Sequence, residues 1–528
     1  MSESQMTTSV TPAQFTEMTL RDLKLNRPEG LQNLMTLLRH FMATRVASRA
    51  TLEKLLIAFA PFVEQRARIA DPSELELMSS ALAHCFTFWR SPMNGEIGRK
   101  ILEELKWPSS DPGSNVFYKL FNNLYAVIWK TCEDHLEGSR YLRDKLIAPF
   151  SGFLGATIEP AFLPLRNSNR IAYLINEINF NQTFAPGKLY TSWWSGHETG
   201  TPTDAPVFIY TLRDADDETR NFLASLNHVT VRSCADRWRK SPRSQAVKAL
   251  RELCDADQID TVIFEKVSAT MLAIMHSRIA PVQLFSPMSF VPLLSSGVDG
   301  FLLTDNAISD AIEMGVPPEK IVVAPFSTEE RFLTPPREKS EIEKARATLP
   351  PATMVFGTFA RGQKISPIYA SVVRTILEAC PDSAFFAAGS GDQGELHKIF
   401  RDAGCPMSRI SLLPVVDVHV YGKLIDVYLE TFPIAQGLAA VEVAAKGIPV
   451  VHHKSPGLNA IWEKQRDPRC VVETVDEYVR VAVMLASDPN TRAAYGEVAR
   501  EIVRPVSDVE ANARALERAV LAFAASRS

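Results

Sequence analysis

From about Asn169 onward, short apolar runs alternate with stretches of helical periodicity, and they do so in two series. The first series runs through Arg170–Ile175, Ala205–Leu212, His228–Ser233, Asp260–Lys266, Val282–Ser286, Asp299–Asp305 and Lys320–Phe326. The second runs through Ala352–Phe359, Asp382–Gly389, Arg409–Val415, Ile425–Thr431, Gly447–His453 and Cys470–Thr474. Runs this short are strands rather than helices, and strands separated by helices form parallel βαβ units. Pro335-Pro336 and Pro350-Pro351 bracket a charged stretch, Ser340 to Thr348, that reads as a linker between two α/β domains.

Ahead of the first series, Leu20 to Gly155 is amphipathic and helical. Asp71-Pro72-Ser73-Glu74 places a cap, a first-turn proline and a carboxylate ahead of Leu75, Met78, Leu82 and Phe86. The same period joins Phe117, Leu120, Phe121, Leu124 and Ile128. No repeat at solenoid length is present, so a compact all-helical domain is expected. At the other end, Ser507-Asp508-Val509-Glu510 reads as a capping box before a helix with Leu516, Val520 and Phe523 on one face. The expected organisation is an all-α domain over residues 1–160, α/β domains over 165–335 and 350–500, and a helix over 501–528 that packs back.

A chain of 528 residues fits several domains of ordinary size. With 46% apolar and 22% charged residues and a net charge of -4, nothing argues for nucleic acid as a partner. The seven cysteines are scattered with no C-x-x-C pair, which fits a reducing cytoplasm. The start, MSESQMTTSVTPAQ, lacks the basic and apolar regions of a secretory signal. The uncharged run Ile279 to Val298 is interrupted by Pro281, Pro287 and Pro292, so no membrane span is expected.

Ligands of parallel α/β sheets bind beyond the carboxyl ends of the strands. Lys364 lies in the loop after the first strand of the second domain, where a lysine can neutralise a diphosphate; a solvated loop lysine is the competing reading. Pro433, Ala435, Gly437, Ala439 and Ala440 keep a helix start free of bulky side chains, so that backbone N–H groups can approach an anion, with Gln436, Gly437, Leu438 and Ala439 as the candidate binding positions. Glu442, in the first turns of that helix, could accept from both hydroxyls of a ribose; the alternative is an exposed carboxylate on a helix packed against its sheet. His419 precedes the strand Ile425–Thr431 and could contact base or phosphate, or be a partly exposed loop histidine. His197, in TSWWSGHETG, and Gln182 are candidates on the acceptor side, beside His276, Glu177 and Glu265. None of these has a spacing that identifies a base. His452-His453 has no further ligand at metal spacing, so no metal is expected.

The stretch GTFARGQKISP (Gly357 to Pro367) resembles the GTF-x-x-x-x-K-I-x-P motif of O-linked N-acetylglucosamine transferases and the bacterial cytoplasmic adhesin N-glucosyltransferases, glycosyltransferase family 41. RIAPVQLFSPMSFVPLLSSGVDGFLLTD (Arg278 to Asp305) is similar to that family's R-x-A-P-x-Q segment, and LIDVYLETFP followed by a small-residue helix to KGIPVV is similar to its nucleotide domain. The resemblance covers about Ile171 to Val503. It implies a GT-B fold, two facing Rossmann-like domains, with inversion at the anomeric carbon, no metal or cofactor, and a UDP-sugar donor. By position, Lys364 matches the lysine on the UDP diphosphate, Glu442 an aspartate on the ribose, and His419 a histidine of the nucleotide site. Gln436 to Ala440 fall where the family has its Thr/Gly-rich cradle. The sequence departs at Ser286-Pro287-Met288, at the hydroxyl-free AQGLAA, and at INFNQTF (Ile178 to Phe184) in place of acceptor-side histidines.

The reading that joins these features is a cytoplasmic, metal-independent transferase moving a hexose from a UDP-sugar to a polypeptide, with the helical domain docking the acceptor. Lys364, His197 and Gln182 are its candidate catalytic residues. Two alternatives fit the same residues: a GT-B enzyme acting on glycan or lipid, and a non-catalytic GT-B subunit that binds a partner protein.

Overall fold

The structure is a computed structural model that describes residues 11–44, 49–88, 92–108, 115–131, 135–176, 185–199, 205–240, 243–265, 267–286, 297–304, 307–391, 393–454 and 463–527. The chain forms two compact units, one of residues 1–168 with 237–301 and one of residues 169–236 with 302–528.

In the first unit the N-terminal region is helical, as its periodicity requires. The helix Pro72–Phe88 starts where expected, with Asp71 Oδ1 accepting from the N–H of Glu74 at 2.9 Å. Leu75, Met78, Leu82 and Phe86 are buried, as are Phe117, Leu120, Phe121, Leu124 and Ile128 on the helix Val116–Thr131. Strands β4 (Thr261–Phe264), β5 (Val282–Phe285) and β6 (Gly300–Leu303) pair in parallel in this order. The R-x-A-P-x-Q segment is a clamp at the start of β5. Gln283 donates from Nε2 to the carbonyls of Met275 at 2.7 Å and Gly297 at 2.5 Å, and its Oε1 accepts from the N–H of Ile279 at 2.9 Å. Arg278 pairs with Asp299 at 2.7 Å. Every polar atom of a fully buried amide is thereby satisfied, which explains a glutamine inside an apolar strand.

In the second unit, β1 (Ile171–Ile175), β2 (Val207–Thr211) and β3 (Val229–Ser233) pair in parallel, and β7 (Ile321–Val323) precedes the linker. The charged stretch forms the helix Lys339–Arg346, capped by Glu338 and Glu341. A six-stranded parallel sheet follows, built from β8 (Met354–Phe359), β9 (Ser383–Ala388), β10 (Ile410–Leu413), β11 (Val427–Leu429), β12 (Val450–His453) and β13 (Val471–Val472), in the order β10-β9-β8-β11-β12-β13. Alternate residues serve opposite faces. Phe356, Phe385, Val427 and Leu429 enter one apolar core, while Val355, Phe386, Tyr428 and Val450 enter the other. Burial on both faces explains why these strands read as continuous apolar runs.

The C-terminal helix Val509–Ala525 buries Leu516, Val520 and Phe523, as its pattern indicates. Its cap is Asp508, which accepts from the N–H of Ala511 at 3.0 Å, and not Ser507, whose hydroxyl turns back to the Arg504 carbonyl. The helix crosses Ala185–Glu198 so closely that a Cβ on Gly196 would lie 2.1 Å from the Val509 carbonyl oxygen.

Candidate active site

The order of the six-stranded sheet reverses between β8 and β11: the chain moves outward from β8 through β9 to β10, returns to β11, then runs the other way to β12 and β13. A crevice beyond the carboxyl ends of two such strands is where parallel sheets bind ligands. The loops leaving β8 and β11 are tied together here. The Tyr428 hydroxyl accepts from the N–H of Phe359 at 3.0 Å, Tyr369 donates to the Leu429 carbonyl at 2.8 Å, and Ser366 donates to the Phe432 carbonyl at 3.1 Å. Gln436 reaches back from one loop to the other, donating to Thr358 Oγ1 at 2.9 Å and Thr431 Oγ1 at 2.8 Å. Strand β8 can approach this closely because residue 357 is glycine: a Cβ there would meet Ile425 at 2.7 Å and Phe386 at 2.9 Å.

Lys364 ends the turn Gly362–Lys364 and donates its Nζ to the Ala435 carbonyl, so it is no freely solvated lysine. Burial pulls its pKa down to about 8, against the opposing pull of the Glu430 carboxylate.

Glu430, the last residue of the YLE run, was not among the expected site residues. It is fully buried, and Arg466 grips it with two hydrogen bonds while His452 Nδ1 lies 2.9 Å from Oε2. Its Oε1 accepts from the backbone N–H groups of Gln436 at 3.1 Å and Gly437 at 3.4 Å. This corrects the expectation that the whole segment from Gln436 presents its backbone donors to a ligand. A carboxylate of the protein takes two of them. The N–H groups of Leu438 and Ala439, in the first turn of the helix Leu438–Ala444, have no acceptor among the described residues.

Glu442 lies one turn into that helix and is buried rather than exposed. Its Oε1 accepts from Lys188 Nζ at 2.5 Å, and the lysine is as deeply buried. Burial raises the Glu442 pKa, with Lys188 and then Lys446 opposing. Lys446 donates to the carbonyls of Leu333 and Glu442, each at 2.7 Å, and sits 3.3 Å from His419 Nδ1; burial lowers its pKa to about 8. His419 is buried at the start of the short helix Val418–Tyr421, whose cap Asp417 is paired with Arg337 at 2.9 Å. Burial, with Lys446 and Lys188 nearby, takes its pKa down to about 3, so the imidazole is neutral at physiological pH and not a solvated loop histidine.

His197 is in the helix Ala185–Glu198, not a loop, and both ring nitrogens are engaged: Nε2 with the Tyr173 hydroxyl at 2.9 Å and Nδ1 with Glu517 at 2.7 Å. It ties the C-terminal helix to β1. Gln182 and Glu177 lie outside the described residues. Among the described residues no group of three or more His, Cys, Asp or Glu is placed to hold a metal ion, and no helix is long and apolar enough to cross a membrane.

No family model matches the chain. A Hordeum vulgare protein described as probable UDP-N-acetylglucosamine–peptide N-acetylglucosaminyltransferase SPINDLY is 32% identical over 184 residues, 31% of this chain and 19% of its own length. The protein of the same description from Solanum lycopersicum is 31% identical over 215 residues, 36% of this chain and 22% of its own length. The chain therefore spans about a fifth of the length of the curated relatives it matches. Among solved structures, a mutant O-GlcNAc transferase of Thermobaculum terrenum superposes with a TM-score of 0.56 at 17% identity, over 98% of this chain and 99% of that one. Anabaena HepE in complex with UDP-glucose gives 0.51 at 15% identity, over 66% of this chain and 99% of its own. The fold is thus that of the GT-B glycosyltransferases: a helical region followed by two parallel-sheet, Rossmann-like domains, as expected.

Proposed function

We propose that this chain is a UDP-sugar-dependent glycosyltransferase that moves a hexose, of the glucose or N-acetylglucosamine type, to a polypeptide. The observation that carries the reading is the meeting, at the switch point of the six-stranded sheet, of Lys364 with a helix start whose Leu438 and Ala439 N–H groups have no acceptor among the described residues. The likeness to the SPINDLY proteins supports it.

In this reading the acceptor attacks the anomeric carbon as the bond to the diphosphate breaks, with inversion, and the proton of the acceptor passes to solvent. Negative charge grows on the departing phosphate, where the Lys364 ammonium and the two N–H groups neutralise it. A hydrogen bond between charged groups is worth about 1.5–3 kcal/mol net. Glu442 accepts from the ribose through Oε2, which makes no hydrogen bond among the described residues while Lys188 holds Oε1. Neutral His419 lines the nucleotide side, Gln436 and Gly437 set the loop, and no metal or cofactor takes part. The protein acts in a bacterial cytoplasm, and its helical region receives the acceptor protein.

A second reading has its own support. With Gln436 and Gly437 turned to Glu430 and no hydroxyl at Leu438 or Ala439, the chain could bind a partner protein without transferring sugar. Incubation with UDP-hexoses and host lysate, followed by intact-mass measurement, separates the two. A hexose-sized gain on a protein that requires Lys364 supports transfer, a gain on lipid or glycan redirects the acceptor class, and UDP binding without any transfer supports the second reading.

A further inference from the structure

Lys188 matches none of the motifs singled out in the sequence, yet it is among the most buried lysines the fold could offer. It enters from the helix Ala185–Glu198, packs its ammonium 5.8 Å from the centre of the Phe332 ring, and ends on Glu442 Oε1 at 2.5 Å, 254 residues away in the chain. A buried lysine is costly to keep charged unless a carboxylate meets it, and the reverse holds for the carboxylate. Only one oxygen of Glu442 is used in this way; Oε2 accepts nothing among the described residues.

We infer that Lys188 is a positioning residue of the nucleotide site, holding Glu442 ionised and in one orientation so that its second oxygen accepts from a ligand hydroxyl. The inference rests on the UDP-site reading above and adds to it the group that makes Glu442 fit for that task. Several other charges face this carboxylate. Lys446 comes from just past the end of its own helix and Asp417 is the cap of Val418–Tyr421, with Arg337 bound to Asp417; neutral His419 lies beside Lys446. Burial drives the Glu442 carboxyl toward its protonated form, Lys188 is the largest opposing influence, and Lys446 is the next. A protonated Glu442 would present one acceptor fewer to a ribose, which brings donors of its own.

The sign of the effect follows. Without the ammonium, Glu442 protonates at a higher pH, so ligand affinity is lost as pH falls through that raised value and recovers above it. UDP is titrated by calorimetry between pH 6 and 9 into the wild type, Lys188→Met, Lys188→Arg, and the doubly neutral Lys188→Met/Glu442→Gln. Lys364 and Lys446 titrate in this range too, and Lys446 is raised by Glu442 and lowered by Lys188, so each chain is also measured with Lys446→Met and the ratio to the chain with Lys188 and Glu442 intact at each pH is the quantity read. The expected result is a loss of about tenfold or more at pH 6 in Lys188→Met that shrinks toward pH 9, where one unit of pKa is a factor of about ten. Lys188→Arg keeps the wild-type profile, and the ratio for the double variant does not vary with pH. A loss in Lys188→Met that is equal at every pH, or no loss, overturns the inference.

A readout without ligand keeps this apart from the proposed function. In difference infrared spectra at pH 7, Lys188→Met should show a protonated-carboxyl band that is absent from the wild type and from the double variant. If the wild type binds no UDP while this band appears, the donor-site reading fails and the hold of Lys188 on Glu442 stands. If no such band appears at any pH where the fold persists, the inference fails whatever UDP does. Should Lys188→Met not fold, the double variant and Lys188→Arg decide: an Arg variant whose affinity falls with decreasing pH as steeply as a charge deletion would require contradicts the inference.

Discussion

Arg466 binds Glu430 through two parallel hydrogen bonds, Nε to Oε2 at 2.8 Å and Nη2 to Oε1 at 2.9 Å, with both side chains wholly out of solvent. Burial alone would raise the pKa of Glu430, but Arg466 and His452 outweigh it and hold the carboxyl well below the usual carboxylate range. A depressed folded-state pKa contributes stability that is present above the unfolded value, about 4.3, and lost as pH falls toward the folded one. Arg466→Met leaves a buried carboxylate without its main partner. It is expected to cost about 3–5 kcal/mol near neutral pH, a deficit that shrinks as pH falls and the stranded carboxylate takes up a proton, read as the Tm difference from wild type across pH 3 to 7. A Tm deficit that is the same at every pH would contradict the role given to this pair.

Gly357→Ala tests why the GTF motif opens with glycine. The added methyl meets Ile425 at 2.7 Å and Phe386 at 2.9 Å, so the core must shift, at a cost of about 1–3 kcal/mol. Truncating Ile425 to Ala in the same chain removes the nearer obstacle. The two substitutions together should cost less than their sum in denaturant unfolding; simple additivity would place the cause elsewhere.

Lys364 sets a pH dependence for donor binding. With its pKa lowered to about 8 by burial, the ammonium is lost as pH rises through that value, and a diphosphate bound beside it pushes the value back up. UDP affinity should therefore decline above pH 8, by at most about tenfold per pH unit, with proton uptake visible as buffer-dependent heats. In Lys364→Ala the decline should flatten. The part that remains belongs to Lys446, which burial places near the same value.

His197 offers the opposite expectation. Both of its ring nitrogens are occupied inside the protein, by Tyr173 and Glu517. His197→Phe should lower stability by about 1–3 kcal/mol and leave UDP affinity at the wild-type value, because it takes a hydrogen-bonding partner from the buried Tyr173 hydroxyl and from Glu517, which keeps Arg514 at 3.2 Å. A selective loss of UDP binding with an unchanged Tm would reverse that assignment.

The strands were legible because parallel strands buried on both faces must be apolar throughout; each of the thirteen runs named from sequence contains a strand. Lys364 was legible from its place after β8, a position with a topological meaning. Ser507 and Asp508 are equally good caps by residue type, and only the backbone decides that Asp508 sits at the turn. Glu430, Arg466 and Lys188 were not read, because their chemistry lies in partners 36 and 254 residues away. One local signal was available: a glutamate directly after the apolar VYL of a central strand has to be paired if it is buried.

The most direct test is calorimetric titration of UDP into the wild type and Lys364→Ala at pH 7, with Tm recorded for both. The account requires saturable binding of UDP by the wild type and a loss of about tenfold or more in Lys364→Ala, the equivalent of a charged hydrogen bond, with the fold intact. No UDP binding by a folded wild-type protein, or equal binding by a folded Lys364→Ala variant, would contradict it.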